Sequence, residues 1–324
     1  MNKIILGVGA VVLVVGFLYI AGSNISVNED SGKSRIKVVA SFYPLAEFAR
    51  QVGGDQVEVI ISTPPGESPH DFEPTPQNIA AAQTAQVFIF NGAGLEPWAE
   101  KIESELAQKG VAVVHMTKYF ELLEAKDEHG HEEEAHEEEG EEHGEEGGLD
   151  PHIWLDPSLA KKEVEIIRDT LMRVDSRNAR VYEENARRYM AELDSLDAAF
   201  ASGLKQCKTR DIVASHGAFG YLAKKYNINV INIAGISPEE EPTPKRMAEI
   251  AVLAKEKGIK YIFFETLVSP ALAQTLAAEV GAGTLVVNPM EGLTEQELNA
   301  GENYISVMRQ NLQNIRTALS CATP

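Results

Sequence analysis

From residue 36 onward, short apolar runs alternate with amphipathic stretches. In the first half, strands are expected at IKVVAS (36–41), VEVIIS (57–62), QVFIFNG (86–92) and VAVVHM (111–116). Helix-like segments fall between them, at LAEFARQV (45–52), QNIAAAQTA (77–85) and EPWAEKIESELAQKG (96–110), the last closed by Gly110. The second half repeats the rhythm, with strands at DIVAS (211–215), INVINIA (228–234), KYIFFE (260–265) and TLVVNP (284–289). Its helices are expected at AFGYLAKKY (218–226), PKRMAEIAVLAKEKG (244–258), PALAQTLAAEVG (270–281) and ENYISVMRQNLQNIRTALS (302–320). Continuous apolar strands separated by helices imply parallel sheets covered on both faces.

Between the halves, residues 158–204 have helix-forming composition with a break near Asp175 and Ser176. The expected architecture is α/β, with two lobes joined by one long helix. Its divisions are a leader and tether over 1–35, an N-terminal lobe over 36–175, a linking helix over 176–204 and a C-terminal lobe over 205–324. A single rigid connector restricts relative motion of the lobes.

Two segments break the pattern. Residues 4–22 are apolar or small and follow Lys3, which suits a signal or a membrane anchor, and the polar stretch after them reads as a tether. Either reading places the rest outside the cytoplasm. No Cys follows the apolar run, so lipid attachment there is not expected. Residues 127–147 lack apolar periodicity and are rich in Glu and His, which predicts a mobile loop.

The chain of 324 residues carries 49 acids against 29 bases, a net charge of −20. Twelve of those acids lie in 127–146, which leaves −8 on the rest. So acidic a body repels a phosphate backbone, and cations suit it better than nucleic acid. Cys207 and Cys321 are the only cysteines. Export would permit a disulfide between them, and free thiols remain the alternative. Two Cys outside any C-x-x-C pattern support neither a Cys-based zinc site nor a redox motif.

Candidate chemistry rests on the eight histidines. His129, His131, His136 and His143 sit in the acidic loop, and His115 sits in an apolar strand where packing explains it. The other three occupy turn-like settings. His70 lies in the proline-stiffened PPGESPHDFEPTP (64–76), His152 lies between two Asp-Pro pairs in LDPHIWLDP (149–157), and His216 follows a strand end. Spacing alone leaves open whether they share one ion. Imidazole suits zinc, copper, nickel or iron over magnesium and calcium. A fourth ligand should be a carboxylate, and Glu265 and Glu291 both follow strand ends. Three His and one carboxylate would close a tetrahedral shell, as in binding sites, whereas catalytic sites keep an open position.

At these residues the sequence resembles the zinc- and manganese-binding solute-binding proteins of ABC importers. Five motifs carry the likeness in order: SFYPLAEFARQVGGDQVEV (41–59), TPPGESPHDFEPTPQNI (63–79), DPHIWLDP (150–157), ASHGAFGYLAKKYN (214–227) and FFETLVSPALAQTLAAEVG (263–281). The resemblance implies two α/β lobes on a backbone helix and no enzymatic activity. It implies metal ligands at His70, His152 and His216, with Glu291 of NPMEG as the fourth and Glu265 as a supporting group. Asn288 stands near where manganese-type members carry Asp. His216 and the His-rich loop point to Zn2+, with Mn2+ the alternative. The implied partners are a membrane permease and its ATPase, since this chain has no G-x-x-x-x-G-K-[ST] loop. The loop histidines would then collect ions as weak ligands, or the loop would serve solubility alone, and the protein would act as a monomer.

Two other classes compete with this reading. A secreted zinc hydrolase needs H-E-x-x-H on a helix, but His131 and His136 are five positions apart and lie in a polar loop. Ser215 beside His216 lacks the G-x-S-x-G frame. A surface adhesin that retains its metal is the other class.

Overall fold

The computed structural model describes residues 35–125 and 148–322. The expected leader at 1–34 and most of the acidic loop, including all four of its histidines, lie outside the described residues.

The chain first forms β1 (Ile36–Ala40), α1 (Tyr43–Gly53), β2 (Val57–Ile61), α2 (Pro76–Gln83), β3 (Val87–Phe90), α3 (Pro97–Gln108) and β4 (Ala112–His115). These strands form one parallel sheet in the order β2-β1-β3-β4. Next come α4 (Pro157–Val174) and the 25-residue α5 (Ala179–Gly203). Then follow β5 (Asp211–Ala214), α6 (Gly220–Tyr226), β6 (Asn229–Asn232), α7 (Pro244–Glu256), β7 (Tyr261–Phe264), α8 (Ala271–Val280), β8 (Gly283–Val286), α9 (Glu295–Asn299) and α10 (Tyr304–Ala318). The second sheet is also parallel, in the order β6-β5-β7-β8. Both sheets thus have the same topology, with the strand order reversing beside their first strand, the position where such sheets bind ligands.

Parallel pairing needs a crossover between neighbours, and the amphipathic helices supply it. The strands are apolar runs because both faces are covered. Every residue of β3 (VFIF) is buried. Val39, Phe88 and Phe90 pack outward with Trp98 and Leu106 under α2 and α3. Val213, Ile231, Ile262 and Leu276 do the same under α7 and α8. The inner faces of both sheets share one larger core with α1, α4, α5 and α10, which includes Phe42, Phe48, Trp154, Tyr182, Phe200, Phe219 and Tyr304. A shared apolar core of this kind opposes separation of the two sheets.

Local chemistry sets the helix starts that border the site. Thr75 caps α2 through Asn78 in a capping box, with Pro76 at the first position. Asp156 caps α4 by accepting from Ser158 N at 2.7 Å, ahead of Pro157. The second Asp-Pro pair of LDPHIWLDP is therefore a helix start. Gly220 opens α6 against Asp150, where any Cβ would collide with the Asp150 carboxylate.

Cys207 and Cys321 are joined in a disulfide, the pairing that the sequence left open. It ties the chain just after α5 to the chain just after α10. His115 is half-buried at the edge of the first sheet, where its ring packs 4.4 Å from Phe90 and its Nδ1 lies 3.0 Å from Glu103. The ring packs as expected, but on an edge strand and not in deep core, and it also pairs with the Glu103 carboxylate.

Candidate metal centre

All four candidate ligands lie beyond carboxyl ends of strands. His70 follows β2, His152 follows β4 at the end of the long connection, His216 follows β5 and Glu291 follows β8. The proline-rich loop after β2 is held onto the second lobe, with Gly66 N donating to Leu293 O at 3.1 Å. The loop holding His152 is tied to the loop holding Glu291, since Trp154 Nε1 donates to Pro289 O at 2.8 Å. Tyr304 O–H donates to Trp154 O from α10. Asn91 Nδ2 donates to Pro151 O at 2.9 Å from the end of β3. The buried Glu96 carboxylate fixes that end by accepting from Asn91 N and Gly92 N, each at 3.0 Å.

These supports bring one atom from each residue together. His70, His152, His216 and Glu291 each present a donor atom, all within 4.8 Å of one another. Glu291 Oε1 lies 3.5 Å from His70 Nε2, 3.5 Å from His152 Nε2 and 3.1 Å from His216 Nε2. A tetrahedral ion with arms of about 2.0–2.1 Å has ligand edges of about 3.3 Å, so these three edges fit one cation. All four atoms are buried and none has a hydrogen-bond partner. Buried polar atoms are nearly always paired, so four orphans aimed at one point indicate a missing shared partner. His70, with 7% of its side chain exposed, is the least buried of the four.

The distal ring atoms are held in the way that metal-bound imidazoles require. His152 Nδ1 lies 2.8 Å from Asp150 Oδ1, and Asp150 also accepts from His152 N at 2.9 Å. His216 Nδ1 lies 2.8 Å from both oxygens of Glu265. A proton on Nδ1, donated to a carboxylate, leaves the Nε2 lone pair free for a cation. Tyr221 O–H donates to Asp150 O at 2.8 Å and so steadies the loop from α6.

Electrostatics agree with the geometry. Burial lowers the pKa of His70 and keeps its ring neutral. Burial also pulls down His216, but the charges of Glu265 and Glu291 override it and raise the pKa to about 10. His152 is raised as well, with burial opposed by its hydrogen bond to Asp150 and by the nearby Glu291 carboxylate. Burial would raise Glu291, yet the facing imidazoles hold its carboxyl well below the usual range. Glu291 is therefore an ionised carboxylate, as a cation ligand must be.

The family model for the zinc-uptake complex component A, periplasmic, matches residues 38–318. The chain belongs to this family. Similar zinc-uptake proteins include the high-affinity zinc uptake system protein ZnuA of Bacillus subtilis, 38% identical over 96% of this chain and 97% of that protein. The zinc-binding lipoprotein AdcA of Streptococcus pneumoniae is 40% identical over 89% of this chain, which spans only 57% of AdcA. The Zn(II)-bound ZnuA-like domain of that AdcA superposes with a TM-score of 0.74 at 38% identity, covering 88% of this chain and 99% of the domain.

Asn288 is not part of the cluster in this member of the zinc-uptake family. Its Nδ2 donates to Thr266 Oγ1 and Glu297, and its N–H donates to Asn311. Several supports had no signal in the sequence pattern. Glu96, Asn91 and Tyr221 act through tertiary contacts that spacing does not reveal. Asp150 and Ser68 each stand two residues before a candidate His, a position from which a side chain bonds its own loop.

Proposed function

We propose that this protein captures Zn2+ outside the cytoplasm and delivers it to an ABC permease driven by a partner ATPase. The ion would sit on His70 Nε2, His152 Nε2, His216 Nε2 and Glu291 Oε1. The observation that carries this reading is the convergence of four buried, unpartnered donor atoms on one point. Membership of a zinc-uptake family and the names of its relatives support the choice of ion and of partner. The donor chemistry supports it too. Three imidazoles and one carboxylate suit zinc, whereas Mn2+ favours more oxygen ligands. The Cys207–Cys321 bridge suits an oxidising compartment. Among the described residues no helix is long and apolar enough to cross a membrane. We assign export or anchoring to residues 4–22 because they are apolar or small and follow Lys3.

Capture proceeds from the exposed side. His70 is the candidate ligand nearest solvent, so an entering ion meets it first. Zinc must displace the proton that His216 carries in the metal-free form. We assign the loop histidines His129, His131, His136 and His143 a collecting role, as weak exchangeable ligands.

The test is metal analysis and calorimetry on the purified protein, with zinc and manganese in competition. One tight zinc ion per chain is expected in the cluster, and His152→Ala should lower its affinity by at least about 100-fold with the fold intact. Unchanged affinity in that variant would remove His152 from the site. Deleting 128–147 should leave the tight site and reduce the number of weakly bound zinc ions. An unaltered count would return that loop to solubility alone.

A further inference from the structure

The two oxygens of Glu291 differ. Oε1 is the orphan that faces the three imidazoles, whereas Oε2 already has a partner, Ser68, whose Oγ lies 3.3 Å away. Ser68 is held for this contact from its own side. Its Oγ accepts from His70 N at 3.3 Å, which directs the hydroxyl proton away from the loop and toward the carboxylate. The backbone around it is fixed on the second lobe by Gly66 N donating to Leu293 O at 3.1 Å. Gly292 lies so close beneath Glu67 O that a Cβ there would approach it to 3.3 Å. Pro64, Pro65 and Pro69 stiffen the same stretch.

We propose that Ser68 sets the denticity of Glu291 and thereby the metal selectivity of the site. By occupying Oε2 it leaves a single oxygen for the ion. The shell is then three imidazoles plus one carboxylate oxygen, four-coordinate and closed. Without the hydroxyl, Glu291 can turn both oxygens to the cation and raise the coordination number to five. Zinc accepts either number, but manganese gains from every added oxygen. Ser68 is thus a specificity-determining residue that never touches the metal, and it also carries lobe-to-lobe contact into the ligand set. This inference rests on the zinc-capture reading given above.

The test uses the full chain, with Ser68→Ala and Ser68→Thr as variants, and Co2+ as a spectroscopic stand-in for zinc. Wild type should give the intense visible bands of four-coordinate cobalt. S68A should weaken those bands and narrow the ratio of zinc to manganese affinity by about 10-fold, mostly through tighter manganese binding. S68T keeps the hydroxyl and should restore both properties. A wild-type four-coordinate spectrum that S68A leaves unaltered, with the same zinc-to-manganese ratio, overturns the role of Ser68 alone. A wild-type protein that shows no four-coordinate cobalt spectrum overturns the capture reading together with it.

Discussion

At the scale of single residues, zinc at the proposed site would compete with protons for the same Nε2 atoms. In the metal-free protein His216 has a pKa of about 10, because Glu265 and Glu291 overcome the effect of its burial. At pH 7 it therefore carries a proton that zinc must expel, and the raised pKa of His152 adds to this competition as pH falls. Zinc affinity should rise with pH throughout the neutral range, with at least about one proton released per ion. Calorimetry in buffers of different ionisation enthalpy measures that number, and zero release would contradict the assignment. The stability of the metal-free protein should move the other way. His216 binds its proton more tightly folded than unfolded, so its contribution is complete below its ordinary pKa of 6.5 and is lost as pH rises toward about 10. The thermal shift produced by zinc should therefore widen as the solution becomes more alkaline.

At the scale of elements, Trp154 connects the two halves of the ligand set. It sits in the turn between His152 and α4, its ring lies 5.2 Å from that of His152, and its indole N–H bonds the loop that carries Glu291. Trp154→Phe keeps an aromatic ring but leaves the Pro289 carbonyl without its donor, at a cost of about 1–3 kcal/mol. It should also loosen the His152–Glu291 spacing, so zinc affinity should fall and zinc release should quicken. Stopped-flow release with a chelator checks this, and an unchanged rate would mean that the two loops hold their places without the indole. The strands around this strut were legible because doubly covered parallel strands are unbroken apolar runs, as VFIF in β3 and YIFF in β7 illustrate. The five-residue α9 was not legible, since so short a segment cannot display a helical period. Proline around His70 and the Asp-Pro pairs around His152 marked stiff loops, but loop stiffness carries no distance. That the loops of His70, His152 and His216 approach one point was implied by the resemblance and not by the residue pattern, and the contacts of Ser68 and Tyr221 are visible only in the structure.

At the scale of the whole molecule, the disulfide and the metal cluster occupy opposite edges of the second sheet. Cys207 precedes the amino end of β5, whereas His216 follows its carboxyl end and Glu291 follows that of β8. The bridge spans 114 positions of chain and so removes much freedom from the unfolded state, an effect of about 2–5 kcal/mol in comparable cases. Its contacts are with the ends of α5 and α10, not with the loops that hold the ligands. Cys207→Ala with Cys321→Ala should therefore lower the melting temperature while leaving zinc affinity nearly as it was. Zinc should stabilise both forms equally, by about 2.7 kcal/mol at a free concentration 100 times Kd, because binding energy adds to folding energy whatever the covalent state. The measurement is a thermal scan of the wild type and the double variant, each with and without saturating zinc. Equal zinc-induced shifts are expected. A smaller shift in the variant would mean that strain at the far edge reaches the ligand loops through the shared core, and that the core transmits force as well as resisting separation.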